Sequence, residues 1–381
     1  MDNITLFGGN ITGIAVGEMA TVKEVIRGLK TEIPNAKFAA FCENPALGKI
    51  LDIEAVSNSI SDWRRWLHIF MKTDLFVVPG GTSVFESGTL ARAFQVILAK
   101  FLGKPIMLYG MSFKPPRTRK GRLFLQYVVL NCIDCVAVRD EGSLEALQKL
   151  GYGKKGFLTA DPALTLESAP LQRVKEIATK IGLKRDMPLV VISPRQFVYG
   201  LWHTFSKETI ENYKVILAQV ADFIVSELGQ VLFIPFNTVP PDNDLETVGD
   251  IMGLMRKRSE VKMIDSRDYS PHEIAAVIRE ADLLLGTRHH SLVLAAGGYI
   301  PMVAINYEPK VYGLMKLIGQ ENLVCEMEGF DYKDCIAKID YAWSHRDLIK
   351  QEMVLKVEVL KKRAVLNAKL ASVLLLSKSK K

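Results

Sequence analysis

Residues 283–310 read LLLGTRHHSLVLAAGGYIPMVAINYEPK and contain two short apolar runs with an apolar helical segment between them. This succession of a strand, a helix that ends at Gly297-Gly298 and a second strand is typical of a parallel sheet. Arg288 and His290 lie between the first strand and the helix, and Lys310 follows the second strand. Cations beside buried elements are costly unless an anion meets them. The stretch therefore predicts an anion-binding site at the carboxyl ends of two parallel strands.

The same alternation of short apolar runs and amphipathic segments recurs along most of the chain. The first half contains six such runs: ITLFGG, AKFAAFC, DLFVVPGG, KPIMLYG, DCVAVRD and GFLTADPAL. The second half contains six more: PLVVISPR, GQVLFIPF, VKMID, ADLLLGTR, IPMVAIN and NLVCEME. Short strands that alternate with helices indicate parallel sheets built from crossover units. The sequence therefore predicts an α/β protein with two Rossmann-like domains of six strands each.

The length of 381 residues suits two domains of about 150–200 residues each. We predict an N-terminal Rossmann-like domain over residues 1–170 and a C-terminal one over residues 185–340, joined by a polar stretch with its own short helix. Residues 341–381 are predicted to form a helical tail that either packs across both domains, crossing back onto the N-terminal one, or touches a membrane with its basic end.

Composition narrows the class of protein. A hydrophobic content of 49% and a charged content of 24% are typical of globular chains. The net charge of +7 fits an anionic substrate, an acidic membrane surface or nucleic acid. Nucleic acid is not expected as a partner, because the Lys and Arg residues are spread along the chain and form no recognisable binding module.

The cysteines and the N-terminus point to a cytoplasmic protein. The five cysteines include a lone C-x-x-C at Cys132 and Cys135, which has no second pair to complete a zinc site. We expect all five to be reduced thiols. The opening MDNITLFGGN does not have the pattern of a signal peptide, and no run of 18 apolar residues predicts a membrane span.

Residues that follow the strands of the first half are candidates for ligand contacts. The first strand is followed by Gly8-Gly9-Asn10 and the third by Gly80-Gly81-Thr82, whose small residues let backbone N–H groups approach a ligand. Glycine pairs are also common in tight turns. Arg139 follows the fifth strand, where it either binds a ligand or pairs with Asp140 at the next helix.

The second half of the chain contains the stronger candidates for binding and catalysis. Arg288 can hold two anionic oxygens in its guanidinium fork, and His290 is suited to move a proton near neutral pH. Exposed N–H groups at the helix start add partial positive charge, and Lys310 adds a mobile ammonium. This set predicts a site for an anionic substrate with no metal and no cofactor.

Several of these segments resemble the polysaccharide pyruvyl transferase family. The strongest signature is Arg-x-His at Arg288 to His290, followed by an apolar helix, PMVAINY and Lys310. VAVRDEGSLEALQKLG resembles the family's arginine-bearing segment and contains Arg139, and TADPAL resembles the Asp-Pro that follows it. DLFVVPGGTSVFE is similar to the family's glycine-rich loop. Where the family usually shows Asn-x-Gly-Asp, this chain has Asn10 and a separate Gly17-Glu18.

The resemblance implies a GT-B-like fold of two Rossmann-like domains with the active site in the cleft between them. It implies transfer of the pyruvyl group of phosphoenolpyruvate onto two hydroxyls of a sugar, which forms a cyclic ketal in cell-surface polysaccharide biosynthesis. Arg139, Arg288, His290 and Lys310 would hold this donor. We expect Arg288 and Lys310 to clamp its phosphate and His290 to carry the proton. Arg139, the second catalytic candidate, would hold the carboxylate or assist the protonation, and the first role is favoured because arginine is a poor acid at neutral pH.

The acceptor side of the predicted site is less defined. Gly80, Gly81, Thr82 and Asn10 are the candidates for contacts with a sugar or a lipid-linked oligosaccharide acceptor. The basic loop from Lys114 to Arg122 is either a solvated surface loop or a contact for the diphosphate of such an acceptor. The sequence leaves peripheral membrane contact and homo-oligomer formation open.

Two other functions are compatible with the sequence. The first is a glycosyltransferase of the same architecture that uses a sugar nucleotide, for which Glu308 is the one candidate ribose-binding acid near the clamp. The second is a non-catalytic relative that binds an acidic saccharide or a partner protein. Trp63 and Trp66, three residues apart on one predicted helix, indicate core or interdomain packing in preference to carbohydrate stacking.

Overall fold

The computed structural model describes the chain apart from residues 1, 8–10, 12, 14, 83–88, 115, 117, 185, 200–204 and 380–381. The chain divides into two compact units. The first contains Met1–Gly13, Glu18–Thr165 and Leu360–Lys381, and the second contains Ile14–Gly17 and Leu166–Val359.

The first unit is built on a parallel sheet of seven strands in the order β3-β2-β1-β4-β5-β6-β7. Its strands are β1 (Asn3–Leu6), β2 (Lys37–Cys42), β3 (Glu54–Ser57), β4 (Leu75–Thr82), β5 (Ile106–Ser112), β6 (Cys135–Val138) and β7 (Gly156–Leu158). The central strands are almost wholly apolar because both faces of the sheet are covered by helices.

Helices on the two faces of this sheet form two separate cores. The helices are α1 (Val16–Glu32), α2 (Leu47–Leu51), α3 (Trp63–Lys72), α4 (Thr89–Phe101), α5 (Arg119–Phe124), α6 (Leu130–Cys132) and α7 (Glu141–Lys149), with a π-helical turn over Leu125–Val129. Buried residues of α1 and α2 contribute to one core, and those of α3, α4, the α5–α6 segment and α7 contribute to the other.

The second unit has a parallel sheet of six strands in the order β10-β9-β8-β11-β12-β13. Its strands are β8 (Leu189–Ser193), β9 (Gln230–Phe233), β10 (Lys262–Met263), β11 (Leu283–Gly286), β12 (Met302–Asn306) and β13 (Val324–Glu326). The remaining helices are α8 (Leu171–Ile181), α9 (Lys207–Glu227), α10 (Asp244–Leu254), α11 (Pro271–Arg279), α12 (His289–Gly297), α13 (Pro309–Leu317), α14 (Tyr332–Ser344) and α15 (Arg346–Ser379).

The predicted fold class is confirmed. All six strands predicted for the second half are present, and α12 ends at Gly297 with Gly298 as its C-cap residue, as the glycine pair indicated. The prediction of six strands in the first half was wrong by one, because β3 is a short edge strand whose sequence EAVS is not an apolar run. The predicted domain boundaries were 170, 185 and 340, whereas the units of the structure change at residues 165/166 and 359/360.

The C-terminal helix α15 covers one face of the first sheet with its second half. Ala368, Ala371 and Leu375 are buried in the same core as the apolar side of α1. Asn367 is completely buried, accepts a hydrogen bond from Thr159 Oγ1 at 2.9 Å and donates one to the backbone oxygen of residue 160 at 3.1 Å. The helix is therefore an integral part of the first unit from residue 360 onward.

None of the helices in the described part of the chain combines the length and the apolar character that crossing a bilayer requires.

Candidate active site

The ends of two adjacent strands define the candidate site in the second unit. Strands β8 and β11 pair side by side at the point where the strand order reverses, with Ser193 opposite Gly286. Ligands of open parallel sheets bind at the carboxyl ends of the strands beside this switch point. Arg195 follows β8, and Arg288 follows β11 as the N-cap residue of α12.

Arg288 is at the centre of a buried ion network. Its Nε donates to Asp244 Oδ2 at 2.8 Å, and its Nη1 donates to Asp242 Oδ2 at 2.9 Å. Its Nη2 reaches both the Oδ1 of Asp244 and the backbone oxygen of Asp242. Burial disfavours the charged guanidinium, but the two carboxylates outweigh this effect and raise the pKa of Arg288 above its ordinary value.

This arrangement differs from the predicted role of Arg288. We expected its fork to face a phosphate, but in the structure the fork faces two aspartates. The reason is physical: a guanidinium that is only 11% exposed needs carboxylate partners to remain buried. Sequence reasoning missed Asp242 and Asp244, although the segment PPDND follows the strand run VLFIPF and carries both acids.

Asp244 joins three loops at this end of the sheet. Its side chain is completely buried and accepts hydrogen bonds from the backbone nitrogens of Gln196 at 2.9 Å, Phe236 at 3.1 Å and Asn237 at 2.9 Å. These residues follow β8 and β9, and Arg288 follows β11. The carboxylate therefore fixes the position of Arg288 relative to the two neighbouring loops.

Arg195 continues the network toward the next strand. Its Nη2 lies 3.4 Å from Asp242 Oδ2, so Asp242 is shared between Arg195 and Arg288. Its Nη1 donates to the hydroxyl of Tyr307 at 2.7 Å, and its guanidinium carbon lies 4.6 Å from the Tyr307 ring centroid. Tyr307 directly follows β12, so the network spans the ends of three adjacent strands.

Lys310 lies at the far end of the same network. Its Nζ is 2.8 Å from Glu308 Oε2 and 5.6 Å from the ring centroid of Tyr307. The side chains of Lys310 and Glu308 are 17% and 18% exposed, so the pair is only partly shielded from water. Tyr307, Arg195 and Asp242 thus connect Lys310 with Arg288, so the two predicted cations belong to one cluster.

The charges of this cluster balance. Three cations are matched by three carboxylates, namely Arg195, Arg288 and Lys310 with Asp242, Asp244 and Glu308. Among the described residues, the positive charges predicted at these strand ends are therefore compensated by carboxylates. An anion that binds here has to exchange with a carboxylate, and the partly exposed Lys310–Glu308 pair is the one that can open at the least cost.

His290 lies in the first turn of α12 and packs against a glycine. A Cβ atom on Gly17 would lie 2.2 Å from Cγ and 2.3 Å from Nδ1 of His290, so only glycine fits this contact. The backbone nitrogen of Val16 donates to the oxygen of Phe236 at 2.9 Å, which holds the glycine segment in the second unit. His289, by contrast, is buried.

Arg139 belongs to the first unit and is also held by an aspartate. Its Nη1 is ion-paired with Asp161, and its Nε donates to Ser112 Oγ at 2.6 Å. The alternative that Arg139 pairs with Asp140 is wrong, because Asp140 accepts from Ser112 Oγ and from the backbone of Ser143. Asp161 lies in the TADPAL segment, which explains why the two family-like segments occur together.

The predicted acceptor residues are only partly described. Gly80, Gly81 and Thr82 are the last residues of β4 and not a loop after it, since Gly81 pairs with Met111 of β5. Gly81 has φ of +111°, which favours glycine. Asn10 lies outside the described residues.

Among the described residues, no group of three or more His, Cys, Asp or Glu side chains has an arrangement that could hold a metal ion.

Solved structures with the same architecture define the class of protein. The chain is similar to a glycosyltransferase from Rickettsia africae, with a TM-score of 0.64 and 11% identity over 98% of both chains. It is also similar to UDP-GlcNAc 2-epimerase from Neisseria meningitidis, with a TM-score of 0.61 and 12% identity over 99% of this chain and 100% of that one. At such identities the similarity concerns the fold alone, which is GT-B-like.

The family follows from the sequence. The family model for polysaccharide pyruvyl transferase matches residues 16–309, and the chain belongs to this family. The match includes Arg139, Arg288 and His290, and Lys310 is the next residue after it.

A curated relative is the amylovoran biosynthesis protein AmsJ of Erwinia amylovora. The two chains are 22% identical over 271 residues. This alignment covers 69% of the present chain and 63% of AmsJ, so it spans less than two thirds of the relative's length.

Proposed function

We propose that the protein transfers the pyruvyl group of phosphoenolpyruvate to two hydroxyls of one sugar and forms a cyclic ketal during cell-surface polysaccharide biosynthesis. The family assignment and the similarity to a protein of amylovoran biosynthesis support this proposal. The observation that carries it is the juxtaposition of a half-buried histidine, a helix start and an exchangeable lysine pair at neighbouring strand ends of the second unit.

The phosphate of the donor is assigned to Lys310 and to the first turn of α12. The start of α12 lies at the end of β11 and contributes the partial positive charge of a helix N-terminus. Binding would draw Lys310 away from Glu308. Arg288 acts in this proposal as a positioning residue, since its own hydrogen bonds go to Asp242 and Asp244.

The reaction requires one proton at carbon and one at phosphate. His290 in its protonated form would donate a proton to C3 of phosphoenolpyruvate, which makes C2 electrophilic and open to attack by the first sugar hydroxyl. That hydroxyl returns its proton to His290 and forms a C2–O bond. The C2–O bond to phosphate then breaks, the second hydroxyl attacks C2, and its proton leaves with the phosphate. Lys310 and the helix start would stabilise the charge on the departing phosphate.

The roles of two other residues are assigned by resemblance. Arg139 is the candidate for the donor's carboxylate, and this assignment comes from the family alone. Glu308, the candidate ribose ligand of the glycosyltransferase alternative, is ion-paired with Lys310.

Ligand-induced thermal stabilisation tests the donor. A ligand that binds only the folded state raises its apparent stability with occupancy. We expect a larger shift in melting temperature from phosphoenolpyruvate than from inorganic phosphate. The shift should shrink in Lys310→Gln and grow in Glu308→Gln, which releases the lysine. Lys316→Gln, an exposed lysine on the same helix, is the matched control.

Turnover tests the chemistry. Incubation with phosphoenolpyruvate and candidate sugar acceptors should release phosphate and yield a pyruvylated product by mass spectrometry. His290→Gln should abolish both, whereas His345→Gln, an exposed histidine of the second unit, should retain them. Stabilisation by sugar nucleotides with no effect of phosphoenolpyruvate would instead favour the glycosyltransferase alternative.

A further inference from the structure

Three consecutive helical segments form one outer surface on the first unit. The inner sides of α3, α4 and the α5–α6 segment pack into the same core. The α4 helix packs against both the π-helical turn and α6, and Lys104 Nζ, just after α4, donates to the backbone oxygen of Met71 in α3 at 2.9 Å. The outer sides of the three segments are therefore adjacent.

This outer surface is apolar to an unusual extent. Nine large apolar side chains on it are at least 36% exposed: Trp63, Leu67, Met71, Phe94, Ile97, Phe101, Leu123, Tyr127 and Val128. A spacing of three or four residues aligns those of α3 and of α4 along one side of each helix, and Tyr127 and Val128 lie together one turn after Leu123. Contiguous exposed apolar surface of this kind marks an interaction site in soluble proteins. We call these nine residues the outer apolar face.

The same three segments carry positive charge and no acidic residue. Eight of their residues are Lys or Arg and none is Asp or Glu, the basic ones being Arg64, Arg65, Lys72, Arg92, Lys100, Arg119, Lys120 and Arg122. The neighbouring helix α7 packs into the same core but carries Glu141 and Glu145. The absence of acidic residues therefore extends over all three adjacent segments of the outer apolar face and distinguishes them from α7.

We propose that the outer apolar face binds the surface of an anionic phospholipid bilayer. Aromatic and aliphatic side chains would enter the boundary between head groups and acyl chains, and the basic residues would meet lipid phosphates. Trp63, Tyr127 and Phe101 are of the types that favour this boundary. A second copy of the chain fits less well, because a symmetric interface would bring like charges together.

The two tryptophans of α3 lie in different environments, one in the core and one on the outer apolar face. Trp66 is buried and donates its Nε1 to the backbone oxygen of Ser57 at 2.7 Å, as the prediction of core packing requires. Trp63 is 56% exposed and lies on the outer apolar face. Membrane binding accounts for this second tryptophan, and it does not depend on the donor chemistry proposed above.

Vesicle co-sedimentation of the full chain tests the proposal. The protein should sediment with vesicles of phosphatidylcholine mixed with phosphatidylglycerol, remain in solution with phosphatidylcholine alone, and dissociate as salt is raised. The double variants Phe94→Glu/Phe101→Glu and Arg64→Glu/Lys120→Glu should each bind at least about tenfold more weakly. Far-UV circular dichroism and the melting temperature verify folding of each variant.

A matched control lies on the opposite side of the same sheet. Ile50 of α2 is 59% exposed, and α2 packs into the other core. Ile50→Glu should bind anionic vesicles as the wild type does. Equal loss in this variant, or no preference for anionic over neutral vesicles, would overturn the proposal. Sedimentation velocity tests for self-association. If the wild type forms a dimer that Phe101→Glu dissociates, and does not bind vesicles, the outer apolar face is instead an interface with a second copy of the chain.

Discussion

Positive charge is handled differently in the candidate site of the second unit and on the outer apolar face of the first. In the second unit, Arg195, Arg288 and Lys310 each have a carboxylate partner within one network. On the outer apolar face, three helical segments carry basic residues and no acidic ones. Two of these basic residues, Arg65 and Lys100, pair with Glu54 and Asp134 of neighbouring segments at 3.3 Å and 3.2 Å. Burial accounts for the contrast, because a buried cation requires a partner whereas an exposed one can also be solvated by water.

The two strand-end arginines follow the rule of the buried region. Arg139 and Arg288 lie in different units, and both are held by aspartates that come from other strand ends or loops. A cation that is matched in this way is held in a defined position, and a ligand can bind it only in exchange for or beside its carboxylate. The net charge of +7 therefore lies outside the matched cluster, and it is available for long-range attraction to acidic surfaces.

The largest effect on stability is expected from a substitution that disrupts the ion network around Arg288. Asp244→Asn removes the carboxylate that accepts from Arg288 and from three backbone nitrogens. We expect the free energy of unfolding to fall by about 3–5 kcal/mol, because a buried guanidinium loses one of its two charge partners. Urea denaturation monitored by circular dichroism measures it.

The control for this change is an aspartate of an exposed pair. Asp250 is 54% exposed and lies 2.9 Å from Lys214. Asp250→Asn should cost less than about 1 kcal/mol. Similar losses for Asp244→Asn and Asp250→Asn would contradict the distinction between buried, matched charges and solvated ones.

The next largest effect is expected at Gly17, which packs against the proposed catalytic residue His290. Gly17→Ala would place a methyl group 2.2 Å from the imidazole Cγ of His290, so the ring has to move. We expect kcat to fall about 10- to 100-fold with little change in KM for phosphoenolpyruvate, because misplacement of a reacting group acts on the chemical step.

Gly249→Ala serves as the control for the glycine change. Gly249 also lies in a helix, and a Cβ there would meet no atom within 4 Å. Its kinetics should match those of the wild type. If Gly17→Ala retains full kcat, the position of His290 against the glycine does not matter for turnover.

The smallest effect concerns a cation that is exposed and nevertheless paired. Arg173 Nε lies 2.6 Å from Glu273 Oε1, and Glu273 also caps α11 through Ser270. Burial opposes ionisation of Glu273, but hydrogen bonds from Ser270 and Arg173 prevail and lower its pKa below the ordinary value of 4.5. The ionised form therefore stabilises the folded state fully above about pH 4.5, and this contribution is lost as pH falls through the lowered pKa.

We therefore expect Glu273→Gln to reduce the free energy of unfolding at pH 7 by about 1 kcal/mol. The difference from the wild type should shrink as the pH is lowered from 5 to 3 in urea titrations. Glu352→Gln, an exposed glutamate of α15, should show neither the reduction nor the pH dependence. A difference that stays constant with pH would assign the effect to helix capping alone.

Much of the fold could be predicted because its strands are buried on both faces. Runs such as LVVIS and LLLG are apolar throughout, and the helix start at Ser270-Pro271 has the expected capping box. The edge strand β3 lacks such a run. The site was predictable only as far as its local sequence. Arg288 and His290 are two residues apart in the chain, whereas Asp242 and Asp244 precede Arg288 by 46 and 44 residues.

Contacts between distant segments also explain the role of Gly17, which no local pattern could reveal. The glycine is adjacent in sequence to Glu18 but packs against His290 of the second unit. Periodicity and residue type predict which side chains follow a strand. They do not predict which distant segment will pair with their charge or pack against them. For the same reason, the Asp161 partner of Arg139 emerged only from the fold.

The helix α15 has a consequence for how the chain is made. Residues 360–379 complete the first unit, yet they are synthesised after the whole second unit. At elongation rates of about 5–20 residues per second, the first sheet waits roughly 10 to 40 s for Ala368, Ala371 and Leu375 to cover its core. During that interval the ribosome-bound chain exposes the apolar surface that α15 later covers. The first unit therefore begins to fold before the second unit is synthesised and is completed only after it.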